Sequence, residues 1–86
     1  MKNITLIKLQ TLEEALHPQK EKYPDGSIHK GIMWEYSRPK VGQSFAVLKS
    51  KMHALFVTSI VQEIISDDES GIVFKTLNSL YKIVYE

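Results

Sequence analysis

The sequence has no cysteine, and its apolar stretches are only a few residues long. Without cysteine, neither a disulfide framework nor a thiolate zinc site can form. No stretch approaches the roughly 20 apolar residues that a membrane-spanning helix needs. The first residues alternate apolar and polar side chains, a pattern unlike the apolar core of a signal peptide. The sequence therefore predicts a cytoplasmic protein that does not bind membranes.

The chain also has little net charge, since 11 Lys and Arg residues nearly balance 10 Asp and Glu residues. The balance is +4 over residues 1–53 (nine basic against five acidic) and −3 over residues 54–86 (two against five). A dedicated nucleic-acid-binding domain is usually far more basic. Hydrophobic residues make up 43% of the chain, which is typical of a folded protein. With 86 residues, we expect a single domain, 1–86, with one small core.

Residues 71–86 predict a β-hairpin, because apolar and polar side chains alternate on both sides of a short polar turn. With Asn78-Ser79 as the two-residue loop, Lys75 lies opposite Lys82 on the outer face. A slip of the register by one residue would turn Lys75 into the core, so the alternation opposes that slip. In this register the inner face carries Ile72, Phe74, Thr76, Tyr81, Ile83 and Tyr85.

Two different patterns meet near the N-terminus. Alternation over Asn3–Leu9 predicts a first β-strand. It is followed by Thr11-Leu-Glu-Glu14, which has the S/T-x-x-E form of a helix capping box. Pro18 disfavours helical geometry at the residue before it, so the predicted helix is one or two turns long.

The segment 17–42 is predicted to be a turn-rich insertion, because it contains all three prolines and three of the four glycines. Tyr23-Pro-Asp-Gly26 predicts a β-turn in which proline presets φ and glycine accepts a positive φ. The apolar residues that remain favour a short strand around Gly31–Tyr36 at a sheet edge.

Two further strands are predicted at Phe45–Leu48 and Leu55–Ile65. Alternation in the longer one breaks at Thr58-Ser59, which indicates a β-bulge or a sharp bend. Asp67–Gly71 is predicted to be a hairpin loop whose glycine has a positive φ. The predicted fold class is mainly β: a small, strongly bent antiparallel barrel of five or six strands with one short N-terminal helix. An SH3-like barrel is the first choice and an OB-like barrel is the second.

Three short motifs follow the patterns G-x-x-F, L/F-x-TS-x-V-x-x-I and F-x-T-x-NS-x-Y. They are carried by Gly42 and Phe45; by Phe56, Thr58, Ser59, Val61 and Ile64; and by Phe74, Thr76, Asn78, Ser79 and Tyr81. Over about half of the chain, the sequence resembles short uncharacterised β-barrel proteins encoded by bacteria and phages. The resemblance implies a small barrel and carries no activity. If the chain is phage-encoded, it would act in the host cytoplasm, and modulation or inhibition of a host protein would be a natural role.

No combination of residues predicts catalysis. Ser59 could be paired with His53, but neither a nucleophile elbow nor an oxyanion glycine accompanies the pair. His17, His29 and His53 lie far apart, without the spacing of a metal site. The glycine-rich loops that hold phosphates are also lacking. We therefore predict that the protein is not an enzyme and has no cofactor or metal.

Two polar pairs, Thr58-Ser59 and Asn78-Ser79, interrupt otherwise apolar segments. One interpretation is that they line a site at one end of the barrel as hydrogen-bond donors. The preferred interpretation is that they satisfy backbone groups at a bulge and at a turn, as Ser, Thr and Asn commonly do.

The segment 29–40 is the best candidate for binding a partner, because it places aromatic residues among basic ones. Trp, Tyr, Met and Arg are enriched at protein interfaces, and basic residues among aromatic ones also suit single-stranded nucleic acid. The alternative is that Trp34 and Ile32 close one end of the barrel while Lys30 and Arg38 are solvated. The candidate partner-binding residues are His29, Lys30, Met33, Trp34, Tyr36, Arg38 and Lys40.

The favoured function is non-enzymatic binding of another macromolecule. A protein is the first choice of partner, and single-stranded nucleic acid is the alternative. A homodimer is also predicted, because a second copy would cover apolar residues on the outer face of the final hairpin. Those residues are Val73, Leu77, Leu80 and Val84.

Overall fold

The structure is a computed structural model that describes residues 1–13, 15, 23–50 and 52–86. The strands in these residues are β1 (Lys2–Thr11), β2 (Ile28–Met33), β3 (Ser44–Ser50), β4 (His53–Asp68), β5 (Gly71–Thr76) and β6 (Ser79–Tyr85). A turn of 3-10 helix, Glu35–Ser37, follows β2. Each strand pairs antiparallel with its sequence neighbours, and β1 pairs with β6, so the six strands close into a barrel. No helix of the described residues is long and apolar enough to cross a membrane.

The alternation of apolar side chains along these strands builds one core. Phe74 lies at its centre, where its ring meets Phe45 edge to face at 5.6 Å between centroids and stacks on Tyr81 at 5.5 Å. Such ring pairs and the aliphatic side chains around them supply the main free-energy gain of folding. The prediction of a small all-β antiparallel barrel is therefore confirmed at this level. The buried hydrophobic residues are Ile4, Leu6, Met33, Phe45, Val47, Phe56, Val61, Ile72, Phe74, Tyr81 and Ile83.

Among the described residues, which include only part of the segment, the predicted N-terminal helix is not seen. Thr11 is the last residue of β1 and pairs with Ser79 of β6. Its N–H and its hydroxyl donate to the Asp25 carboxylate at 2.9 and 3.0 Å, so its side chain is held by the next turn and does not cap a helix. Strand pairing therefore overrides the local capping signal. Glu14 and Leu16 of the predicted helix lie outside the described residues.

The final hairpin has the predicted inner face but a different register. Phe74 pairs with Tyr81, whereas the sequence predicted a pair with Ile83. The loop is Leu77-Asn78 instead of Asn78-Ser79, so every pair is shifted by two residues. The shift keeps each side chain on the face that the alternation assigns to it, because side chains repeat every two residues along a strand.

The side chain of Thr76 explains why the loop closes where it does. Its hydroxyl accepts the N–H groups of Asn78 and Ser79 at 3.2 and 3.1 Å and donates to the Ser79 carbonyl at 3.2 Å. Threonine thus satisfies the backbone groups that a tight turn exposes. The predicted opposition of Lys75 and Lys82 is consequently wrong, because Lys75 lies opposite Leu80.

The predicted bulge at Thr58-Ser59 is confirmed. On β4 these two residues occupy the space between Val57 and Ile60, while β3 contributes Phe45 alone opposite them. The Thr58 hydroxyl accepts the Phe45 N–H at 3.0 Å and donates to the Ser59 carbonyl at 2.7 Å. An extra residue of this kind bends and twists a strand. It lets the 16-residue β4 pair first with β3 and then with β5.

The predicted turn after residue 22 lies one residue later than expected. The Ser27 N–H donates to the Pro24 carbonyl at 3.0 Å, so the turn spans Pro24–Ser27. Gly26 occupies its third position with a φ of +90°, as a type II turn requires.

The predicted edge strand is an interior strand of the barrel. β2 covers 28–33 and lies between β1 and β3, so residues 28–33 of the turn-rich segment are part of the barrel wall. β5 and β6 also have a neighbour on each side, and the four apolar residues on which the homodimer rested are half-buried. The homodimer stays a prediction, but the apolar residues from which it was inferred are not exposed in the barrel.

Candidate functional site

The residues predicted to bind a partner do not all lie on one surface. Alternation along β2 turns His29 and Met33 inward and leaves Lys30 exposed. Met33 is fully buried in the core. It therefore offers no contact to a partner. Ile32 and Trp34, which the alternative placed at one end of the barrel, are both half-buried.

Half-buried Trp34 and exposed Tyr36 form an aromatic pair beyond the end of β2. Their rings stack almost in parallel, with centroids 5.9 Å apart and an angle of 11° between the planes. The short 3-10 turn holds them in place, because the Ser37 hydroxyl accepts the Trp34 N–H and donates to the Trp34 carbonyl, both at 3.0 Å. Tyr36 is 71% exposed, so the outer ring of the stack faces solvent.

Arg38 follows this pair in the chain, and two carboxylates balance its positive charge. Its guanidinium donates to both oxygens of Asp67 at 2.7 and 2.8 Å and lies 3.4 Å from a Glu35 oxygen. Hydrogen bonding to Asp67 raises the pKa of Arg38 above its ordinary value. The Lys40 ammonium donates to the Tyr36 carbonyl at 3.4 Å and remains exposed. We call Trp34, Tyr36, Arg38 and Lys40 together the aromatic surface.

A cavity of about 300 Å³ opens at the other end of the barrel. The two ends are distinct, because Met33 pairs with Lys2 at the start of β1 whereas Lys8 lies toward its end. This second site joins the end of β1, the bulge of β4 and the β5–β6 turn. Its lining residues are Lys8, Tyr23, Phe56, Val57, Thr58, Ser59, Asn78, Ser79 and Tyr81.

Lys8 brings a positive charge to the wall of this cavity. It continues the inward alternation of Ile4 and Leu6, and its side chain is only 3% exposed. The ammonium donates to the Tyr23 carbonyl at 2.6 Å and lies 4.0 Å from an Asp25 oxygen. A buried ammonium needs such partners, because removal of the charge from water is costly.

Both polar pairs from the sequence lie at this cavity. Ser59 donates to the Thr76 hydroxyl at 2.8 Å, which connects the bulge to the β5–β6 turn. Ser59 is therefore bound to Thr76 and not to His53, whose ring nitrogen instead lies 3.0 Å from the Ser50 hydroxyl. Of the two pairs, the Thr58 hydroxyl satisfies backbone groups at the bulge, as preferred from the sequence, whereas at the turn Thr76 has that role. Both pairs also line a site at one barrel end.

Aromatic rings cover the rest of the wall. The His29 ring stacks on Phe56 with centroids 4.0 Å apart, and Tyr23 meets Phe56 edge to face at 5.0 Å. Tyr81 lies deeper, at 6% exposure, and burial raises the pKa of its phenol. The phenol therefore stays protonated at neutral pH and keeps a hydroxyl that can donate.

The burial of His29 has a testable effect on stability. Desolvation lowers its pKa below the ordinary value of 6.5, and its Nε2 atom is buried with no hydrogen-bond partner among the described residues. The folded state therefore binds fewer protons here than the unfolded chain does. Stability from this group is complete above pH 6.5 and is lost as the pH falls through the lowered pKa.

Urea denaturation between about pH 7.5 and 5.5 measures this loss of stability. This range is chosen because most carboxylates titrate at lower pH and contribute little to the change. His29→Phe keeps a ring against Phe56 and should flatten the dependence over this range. An unaltered slope in His29→Phe would contradict the assignment.

Neither a cluster of metal ligands in the described residues nor a match to another protein points to a function. Over the described ranges, no three His, Asp or Glu side chains lie close enough together to hold a metal ion. Comparison of the chain with family models, curated proteins and solved structures gives no match. The site must therefore be interpreted from its own geometry, and the resemblance to phage-encoded barrels stays a prediction.

The sequence gave a site at one barrel end only as the less favoured interpretation of the two polar pairs, although a further signal for it was present. Ile4 and Leu6 predict that Lys8 also points inward, two residues further along the same strand. A lysine at an inward position of a small barrel is unusual, since lysine is rarely buried. That observation, combined with the two polar pairs, would have indicated a polar site inside the barrel mouth.

Proposed function

We propose that the protein is a non-enzymatic barrel that binds another protein through the aromatic surface. The observation that carries this proposal is the exposed Tyr36 ring stacked on the half-buried Trp34 ring, with the backbone of Trp34 held by hydrogen bonds of Ser37. Exposed Trp, Tyr and Arg side chains supply much of the affinity at protein interfaces. A side chain that is already fixed loses little conformational entropy on binding.

The charges favour a protein over single-stranded nucleic acid. Binding to nucleic acid depends on cations that contact phosphates. Asp67 and Glu35 balance the positive charge of Arg38. Among the described residues, no carboxylate lies within ion-pair distance of Lys40, so Lys40 alone gives the aromatic surface an unbalanced positive charge. A partner with its own polar and apolar side chains suits this balance better than a polyanion does.

Tyr36→Ala is expected to weaken capture of the partner at least about tenfold, since hot-spot residues contribute 2 kcal/mol or more. The wild type and the variant would be used side by side as baits in a lysate of the organism that encodes the protein. Met52→Ala is the matched control, because Met52 is 86% exposed and lies outside the aromatic surface. Equal retention by wild type and Tyr36→Ala would overturn the proposal.

The same surface can be tested against nucleic acid through Trp34, the single tryptophan. Titration with a single-stranded oligonucleotide at low ionic strength should leave its fluorescence unchanged. A change in fluorescence that disappears as salt is added would favour the nucleic-acid alternative.

We further propose the SH3-like class over the OB-like class. The strands of the described residues follow one another round the barrel, whereas an OB-fold has the strand order of a Greek key. Modulation of a host protein in the host cytoplasm, as the resemblance to phage-encoded barrels implies, belongs to the same proposal. The exposed aromatic stack is suited to such a role.

A further inference from the structure

The first half of β4 has a strand neighbour on one side only. Its pairing with β5 begins at Val61, opposite Thr76, and before that point β4 pairs with β3 alone among the described residues. On the other side, the cavity of about 300 Å³ lies between residues 57–59 and the β5–β6 turn. We call residues 53–59 the free edge of β4. Because strand residues turn their N–H and C=O groups alternately to the two sides, this edge presents backbone groups that another strand can pair with.

Exposed apolar side chains accompany the free edge. Leu55 and Val57 are 48% and 54% exposed on the outer face, whereas Phe56 between them packs inward. Half-buried Ala46 of β3 lies opposite Val57, so the apolar outer surface continues onto β3. Ile60, just beyond the free edge, is also 41% exposed. Apolar side chains beside an unpaired strand edge are typical of an interaction site.

The charged side chains that usually protect an exposed edge are lacking here. Residues 52–62 contain no Lys, Arg, Asp or Glu, although the edges of natural sheets commonly carry lysine or another charge. The outer faces of other strands do carry lysines, with Lys30 on β2, Lys75 on β5 and Lys82 on β6. Two copies of the chain can therefore approach each other along this edge without repulsion between like charges.

We propose that two copies of the chain form a homodimer by antiparallel pairing of their free edges. A twofold axis at Phe56 places Leu55 of each copy opposite Val57 of the other, so that apolar side chains meet on the outer face. The backbone groups of one edge then pair with those of the other, as in strand addition. This match of an uncharged segment with itself favours a second copy over a different protein.

The proposed interface differs from the other two surfaces discussed for binding. The outer face of the final hairpin, on which a homodimer was predicted from the sequence, is not part of it. The aromatic surface lies at the opposite end of the barrel, so dimerisation and the proposed capture of a partner can be tested separately. Pairing over seven residues gives a small interface, and we expect a dissociation constant of about 1–100 µM.

The test measures the mass and the amide exchange of the full chain. Sedimentation velocity between about 1 and 500 µM should show a monomer at the lowest concentrations and a dimer at the highest. Hydrogen exchange followed by ¹H–¹⁵N NMR should be slower for residues 53–59 at the highest concentration, because pairing protects the amides of the free edge.

Val57→Lys should weaken dimerisation at least about tenfold, because the dimer would place a charge in an apolar contact without a partner. Ile65→Lys is the matched control and should dimerise like the wild type. Ile65 is 51% exposed on the same strand, but it lies in the half that β5 already covers. If Val57→Lys does not fold, Leu55→Lys tests the same contact, since Leu55 is also exposed.

Three outcomes overturn the proposal. A chain that stays monomeric up to about 500 µM would leave the free edge to a strand of another protein. A dimer with unchanged exchange at residues 53–59 would use a different surface. Dimerisation that Ile65→Lys weakens as much as Val57→Lys and Leu55→Lys do would also reject the free edge as the interface.

Discussion

Phe74→Ala is expected to destabilise the barrel by about 3–5 kcal/mol, because truncation leaves a cavity that the closed sheet cannot fill. Phe74 is fully buried and contacts both Phe45 and Tyr81 through its ring. Domains of this size have a total stability of roughly 5–15 kcal/mol. The loss should therefore leave a barely folded protein, with a much lower urea midpoint.

Lys75→Ala is the matched control on the same strand. Lys75 points to the outer face and lies opposite Leu80 on β6 and Glu63 on β4. Its truncation should change stability by no more than about 0.5 kcal/mol. The stabilising effect expected if Lys75 faced Lys82 loses its basis in the observed register. If Lys75→Ala destabilised as much as Phe74→Ala, the assignment of inner and outer faces would be wrong.

Gly71→Ala is expected to destabilise the barrel by at least about 2 kcal/mol, for two physical reasons. Gly71 has a φ of +151°, a conformation that residues with a side chain rarely adopt, which confirms the positive φ predicted from the sequence. A Cβ atom there would also lie 1.9 Å from the Ile83 carbonyl oxygen of the neighbouring strand. Because that oxygen belongs to the backbone, the β5–β6 pairing itself would have to move.

The variant Gly26→Ala separates the cost of backbone strain from the cost of the steric clash. Gly26 also has a positive φ, of +90°, but a Cβ atom there would meet nothing within 4 Å. Its cost should be about 1–2 kcal/mol, the strain of the backbone alone. The free energies of unfolding of the two variants would be compared by urea denaturation with the wild type. Equal costs would mean that the contact with Ile83 contributes nothing.

The bulge of β4 links the fold to both candidate sites. Thr58 and Ser59 bend the strand and also line the cavity at the Lys8 end. Beyond the bulge, β4 continues to Asp67, which holds Arg38 at the aromatic surface. The same long strand therefore supplies Thr58 and Ser59 to the cavity and an ion-pair partner to Arg38, although the two sites lie at opposite ends of the barrel.

The sequence by itself determined which side chains of the final hairpin face inward. Alternation identified the inner face of the final hairpin, and its interruption located the bulge at Thr58-Ser59. These predictions held because the periodicity of a strand is local: each side chain is placed by its own backbone. The candidate binding segment was identified only in part, since the aromatic and basic residues were recognised but Met33 is in the core.

Only the tertiary structure decided the features that depend on which strands meet. Alternation is unchanged by a shift of two residues, so it could not distinguish the pair Phe74–Tyr81 from Phe74–Ile83, and hydrogen bonds at Thr76 made the choice. The neutralisation of Arg38 by Asp67 joins residues 29 positions apart. The cavity at Lys8 likewise combines three distant segments. Local patterns place each of these side chains on a face of its strand, but barrel closure decides which distant segments meet.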